Sequence, residues 1–147
     1  MNDIEMVRNH LAEETGLATV STVQADGRVL SSVVNCGIVE HPIKGETCVA
    51  FVSSGKAARL KHIDRGSQVT ISIRRGWTWS SVTGHADLIR FENLPENMDT
   101  EKMRLLLREV FHAAGGQHDD LEEYDRAMAE EKRVVVCVTP DRILGNP

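Results

Sequence analysis

The sequence predicts a mainly β fold, a six-stranded antiparallel barrel with peripheral α-helices, built by residues 1–147 as a single domain. Three observations predict it. Six short stretches are apolar or alternate at strand spacing. Most of them are joined by turn signals, unlike the strand–helix alternation of a doubly wound sheet. The helical stretches are inserted between strands, and no repeat or linker divides the chain.

Residues 3–14 read as a short amphipathic helix with Ile4, Val7 and Leu11 on one face. Asn2 and Glu5 form its capping pair and Gly16 its stop. Leu17–Val23 alternates, Ala25-Asp26-Gly27 is a turn signal, and residues 28–36 return as a second strand. His41-Pro42-Ile43-Lys44-Gly45 is a loop before a third strand, Thr47–Ser53. Ser54-Gly55 breaks that strand, and residues 56–64 read as a short helix with Ala57, Leu60 and Ile63 inward. Residues 68–74 alternate again, and Gly76 marks a turn. Residues 77–91 form a long strand in which Gly84 signals a bulge or a close backbone approach. Residues 100–114 carry a helical stripe of Met103, Leu106, Leu107, Val110, Phe111 and Ala114, closed by Gly115-Gly116. Residues 119–131 carry a narrower stripe of Leu121, Tyr124 and Met128. Residues 133–138 are the last strand, with Pro140 as its stop.

The formal net charge is −5, from 17 basic and 22 acidic residues. Such a chain lacks the surplus cations that phosphate neutralisation by a nucleic-acid binder needs, and aromatics at 4% are too few for a base-stacking platform. No apolar run has the length of a membrane span, and the first residues do not read as a signal peptide. Cys36, Cys48 and Cys137 are scattered and read as reduced core residues, which places the protein in the cytoplasm. The charge is uneven. Residues 53–90 hold seven bases against two acids, whereas residues 92–131 hold twelve acids against four bases. A cationic stretch in an acidic chain fits either a solvated face or a local anionic ligand.

Ser53-Ser54-Gly55-Lys56 lies where a strand gives way to a helix. Helix-start N–H groups together with the Lys56 ammonium favour an anion such as a phosphate; a plain capping turn fits the same residues. It is not a nucleotide-binding P-loop, because Ala50 and Ala57 stand where that motif needs Gly and Ser or Thr. The six histidines show no metal-ligand spacing, so no metal site is expected. No G-x-S-x-G elbow and no reactive-cysteine signature is present, so no residue is assigned a catalytic role. Trp77 and Trp79 share a face of the long strand, as core or interface aromatics or as the wall of a planar ligand. A phosphate cradle without catalytic side chains suits a cofactor that brings its own reactivity.

The sequence resembles the pyridoxamine 5′-phosphate oxidase-like split β-barrel proteins, the flavin and deazaflavin oxidoreductases. Four segments carry the resemblance. They are Gly16-Leu17-Ala18-Thr19-Val20-Ser21-Thr22 with Asp26-Gly27-Arg28, then Phe51-Val52-Ser53-Ser54-Gly55-Lys56-Ala57, then Trp79 five residues before Gly84, and the tail from Arg133 through Pro140 to Gly145. With Glu123-Tyr124-Asp125, that tail is most similar to the subgroup using coenzyme F420. The resemblance implies a homodimer with cofactor sites at the subunit interface. Ser54 and Lys56 would hold the cofactor phosphate, Ala57 closing their segment and Arg59 adding a contact. Val34, Asn35, Val52 and Ser53 would line the ring, and Trp79 would come from the partner subunit. FMN-using relatives often carry Arg where this chain has Gly55, so F420 is the expected cofactor and FMN the alternative. The implied activity is hydride transfer from the reduced deazaflavin to an unsaturated small molecule. An FMN-dependent oxidase or reductase and a non-catalytic cofactor carrier are the alternatives.

Overall fold

The computed structural model describes residues 3–147; the Asn2 part of the capping pair lies outside them. The first helix, α1, is Asp3–Glu13 and buries Met6, Val7, His10 and Leu11. Its stop differs from the expectation by one residue. Gly16 N donates to Leu11 O (2.8 Å) and Thr15 N to Ala12 O (3.4 Å), so the left-handed closing residue is Thr15 at φ 53°.

The first two strands, β1 (Leu17–Val23) and β2 (Val29–Glu40), pair antiparallel from Leu17↔Asn35 to Val23↔Val29. The expected second strand ends at Cys36. The observed one runs on to Glu40 because its second half changes partner, pairing with β3 (Thr47–Ser53) from Cys36↔Phe51 to Glu40↔Thr47. Next come α2 (Ala58–Asp64), β4 (Val69–Arg75) and β5 (Thr78–Ile89). A 3₁₀ turn at Phe91–Asn93 leads to α3 (Thr100–Ala113) and α4 (Leu121–Glu130), and β6 (Val134–Asn146) ends the chain. The strands close the six-stranded antiparallel barrel that the sequence predicts, in the order β1-β2-β3-β6-β5-β4. Each half is a three-stranded set. The halves meet at β3–β6 and at β1–β4, where Thr19 faces Ser72.

Two expectations about the last strands are corrected. β6 does not stop at Pro140. Its pairing shifts from Thr83↔Arg142 to Gly84↔Pro140, leaving Asp141 extra, and a bulge is where a residue without a backbone N–H is tolerated. Gly84 also meets its second expectation, because a Cβ there would stand 1.9 Å from Thr139 O. Trp77 belongs to the β4–β5 turn rather than to a strand and is 94% exposed, so it is not a core residue of this chain.

The barrel interior is filled by Val20, Phe51, Ile71, Val82, Val136 and Val138, and α1 adds Val7 and Leu11. A second apolar layer lies outside the barrel, where Met103, Leu107 and Val110 of α3 cover Cys48, Ala50 and Cys137. β3 and β6 are thus buried on both faces, which explains their unbroken apolar runs. Burying each of those α3 side chains contributes roughly 1.5–3 kcal/mol. Gly37 lets α3 approach, since a Cβ there would stand 2.4 Å from the Ala113 backbone. All three cysteines are buried and unpaired. Among the described residues no helix is long and apolar enough to cross a membrane.

Candidate functional site

The strand-to-helix junction after β3 is built around one arginine. Ser53 is buried; its Oγ donates to Ser54 O (3.0 Å) and accepts from Arg59 Nη1 (2.8 Å). Arg59 Nη2 donates to Ser32 Oγ (2.8 Å), and the guanidinium carbon lies 5.7 Å from the Phe51 ring centroid. Arg59 is half-buried, and burial pulls its pKa below the ordinary value. Among the described residues no carboxylate pairs with it. A partly desolvated cation held by two hydroxyls and a ring face, with no counter-charge beside it among the described residues, is an incomplete electrostatic arrangement.

Arg59 lines a cleft of about 530 Å³ between the barrel and the helices. The barrel side contributes Val33, Val34, Asn35, Val52 and Ser54. The helical side contributes Val110, Phe111 and Ala114 of α3, then Tyr124 and Met128 of α4. Thr15, Gly115 and Gly116 also line it, as does a second guanidinium, Arg133. No carboxylate lines this cleft among the described residues, although the chain as a whole is acidic. Its chemistry is therefore that of an apolar slot with cations, which suits an apolar body bearing an anion.

The helical wall is held by its own network. Asp125 of α4 accepts from Arg104 Nη1 (3.1 Å) and Arg108 Nε (2.9 Å) of α3. Bonds from Arg108 and then Arg104 hold the Asp125 carboxyl below its ordinary value. Tyr124 donates its hydroxyl to Leu107 O (3.1 Å), and its ring lies 4.5 Å from that of Phe111. Burial pushes the Tyr124 phenol up to about 12.

Of the nine sequence-predicted site residues, Val34, Asn35, Val52, Ser54 and Arg59 meet in this cleft, with Ser53 directly behind it bonded to Arg59. Lys56 is exposed and does not line the cleft. It borders a neighbouring depression of about 560 Å³ with Lys132, Glu92, Glu130 and Glu131, which Ser54 and Arg133 share. The reason is the helix start. α2 begins at Ala58 and Ala57 is its cap residue, without a side-chain bond, so Lys56 precedes the helix instead of opening it. Gly55 also has a local cause, because a Cβ there would stand 2.4 Å from Lys132 O. Trp79 is half-exposed on β5, opposite Arg74 and Asn146, away from its own chain's cleft. It shares the barrel's outward surface with exposed Leu17, Val23, Val29 and Val33.

Sequence reasoning did not place Thr15, Phe111, Tyr124, Met128 or Arg133 in the site. Phe111, Tyr124 and Met128 lie on stripes that read equally as core, and Thr15 carries no motif.

The fold is the split barrel of the pyridoxamine 5′-phosphate oxidase-like proteins. No protein-family profile matches the chain. Among solved structures it is similar to a conserved hypothetical protein from Mycobacterium tuberculosis, at 16% identity and TM-score 0.68, covering 99% of this chain and 84% of that one. It is similar to a putative pyridoxamine 5′-phosphate oxidase from Lactobacillus delbrueckii, at 14% identity and TM-score 0.56 over 98% and 93% of the two chains. It is also similar to an F420 reductase, at 17% identity and TM-score 0.57 over 88% and 90%. At these identities the likeness is one of architecture.

Proposed function

We propose that the protein is a cytoplasmic, homodimeric oxidoreductase whose cleft holds a flavin-type cofactor, coenzyme F420 in preference to FMN. The observation that carries this reading is Arg59, a half-buried guanidinium that, among the described residues, has no carboxylate partner and lines a slot without acids. The residues present fit such a group. Ser54 and Arg59 suit its phosphate, with Lys56 in the adjoining depression, and Val34, Asn35 and Val52 suit the ring. Phe111, Tyr124 and Met128 supply an apolar wall that excludes water on the other side. When bound, the cofactor supplies the hydride chemistry, with an unsaturated small molecule as acceptor. This chain's part is to bind, orient and desolvate, and no side chain in the cleft is assigned proton transfer.

The choice of F420 over FMN rests on Gly55, which has no room for the arginine of FMN-using relatives. The homodimer is supported by the exposed apolar side chains Leu17, Val23, Val29 and Val33 of β1 and β2, which a second copy would cover while bringing its Trp79 to the cleft.

Titration of purified protein with coenzyme F420 and FMN tests the reading. Arg59→Gln is expected to weaken binding about tenfold or more, as for loss of a charge-assisted contact worth roughly 1.5–3 kcal/mol. Lys56→Ala is expected to cost less. A larger loss in Lys56→Ala moves the anchor off Arg59, and failure to bind either compound refutes the reading.

A further inference from the structure

We propose that Thr15 is a ligand-recognition residue of the cleft, its hydroxyl and the neighbouring Asn35 amide oxygen reading a ring edge that presents an N–H beside a C=O. The proposal deepens the cofactor reading and rests on it. It starts from a backbone position that does not suit its residue. Thr15 closes α1 at φ 53°, where glycine is the default and a β-branched side chain is strained. The turn gains nothing visible from the side chain, since the Thr15 hydroxyl bonds no protein group among the described residues. A threonine standing at a glycine position, its hydroxyl without a protein partner among the described residues, points to a use outside the fold.

Its surroundings say what the use is. The Thr15 carbonyl accepts from Asn35 Nδ2 (3.0 Å), which uses one of that nitrogen's two hydrogens, fixes the amide's orientation and leaves Asn35 Oδ1 as an acceptor. The Thr15 methyl is packed toward Gly115, where a Cβ would stand 3.1 Å from it. Thr15, Asn35 and Gly115 all line the cleft. One hydroxyl donor beside one fixed amide acceptor is complementary to a cyclic imide or lactam edge, in which an N–H adjoins a carbonyl. The pyrimidinedione edges of F420 and FMN have this pattern.

The test measures binding of coenzyme F420, FMN and 3-methyl-FMN together with thermal unfolding. Thr15→Gly is expected to raise the melting temperature by a few degrees, by relieving the backbone, and to weaken binding about tenfold. Thr15→Val keeps the shape and loses the hydroxyl, so it should weaken binding similarly without the thermal gain. Thr15→Ser should bind within about threefold of the unaltered protein, and the unaltered protein should hold FMN about tenfold better than 3-methyl-FMN. Unaltered binding that survives both Thr15→Gly and Thr15→Val within about twofold overturns this proposal and leaves the cofactor reading standing. An unaltered protein that binds none of the three compounds overturns both.

Discussion

Placing an arginine at position 55, as FMN-using split barrels often do, should unfold this protein earlier rather than improve its phosphate site. A Cβ at Gly55 would stand 2.4 Å from Lys132 O and 3.3 Å from Glu131 O. The first contact is about 1 Å inside ordinary van der Waals distance, and the atom met is backbone, which cannot rotate away. Relief requires the turn after α4 to move, and overpacking of this kind costs typically about 1–3 kcal/mol. For a chain of this size each kcal/mol is worth about 2–4 °C. Gly55→Arg, followed by differential scanning calorimetry, should therefore lower the melting temperature by about 4–8 °C, taking about 2 kcal/mol as the cost. Ala58→Arg adds the same side chain at an exposed position three residues on and should stay within about 0.5 kcal/mol. Equal melting temperatures for the two variants would show that Lys132 gives way freely, and the steric account of Gly55 would fall with it.

Asp125→Asn removes the charge and one of the two acceptor oxygens shared by Arg104 and Arg108, and should cost about 1–2 kcal/mol at neutral pH. Because the folded-state pKa of Asp125 lies below its ordinary 3.8, this stability is present above 3.8 and lost as pH falls through the lower folded value. Melting temperatures of the two proteins should therefore converge only in that acid range, and convergence already at pH 6 would contradict the assignment. Tyr124 is the one tyrosine of the chain, so absorbance at alkaline pH reads it alone. Its ionisation should centre near 12 in the folded protein, against an ordinary value of 10. Its stabilising share is present below 10 and lost as pH rises toward 12, and a midpoint at 10 in protein still folded would place the phenol in water.

The barrel was legible in the sequence because strand alternation is local. Leu17–Val23 with Asp26-Gly27, and residues 68–74 with Gly76, announce their hairpins without help from the rest of the chain. Two of the failures lie where a distant partner decides. Pro140 looks like a stop unless Gly84 is known to face it across a bulge. The β2 strand looks complete at Cys36 unless β3 is known to take over its pairing. In the site, the Ser53-Ser54-Gly55-Lys56 segment was found, but the start of α2 moved the cleft cation from Lys56 to Arg59. A helix that begins two residues late turns a lysine outward, and neither glycine nor alanine spacing reveals that in advance. The Phe111, Tyr124 and Met128 wall was hidden for another reason, since a stripe has the same period whether it meets a core or a ligand.

Between Ile89 and Val134 the polypeptide makes one long excursion from the barrel and then returns. The inner ridge of α3 is tied to the strands by Gly37 and the second apolar layer, but α4 is fastened to α3 chiefly through Asp125 and Tyr124. Changes along α4 can therefore redraw what the slot admits while every strand keeps its register. The cleft thus has one wall fixed by strand register and another fixed by a separately fastened helix.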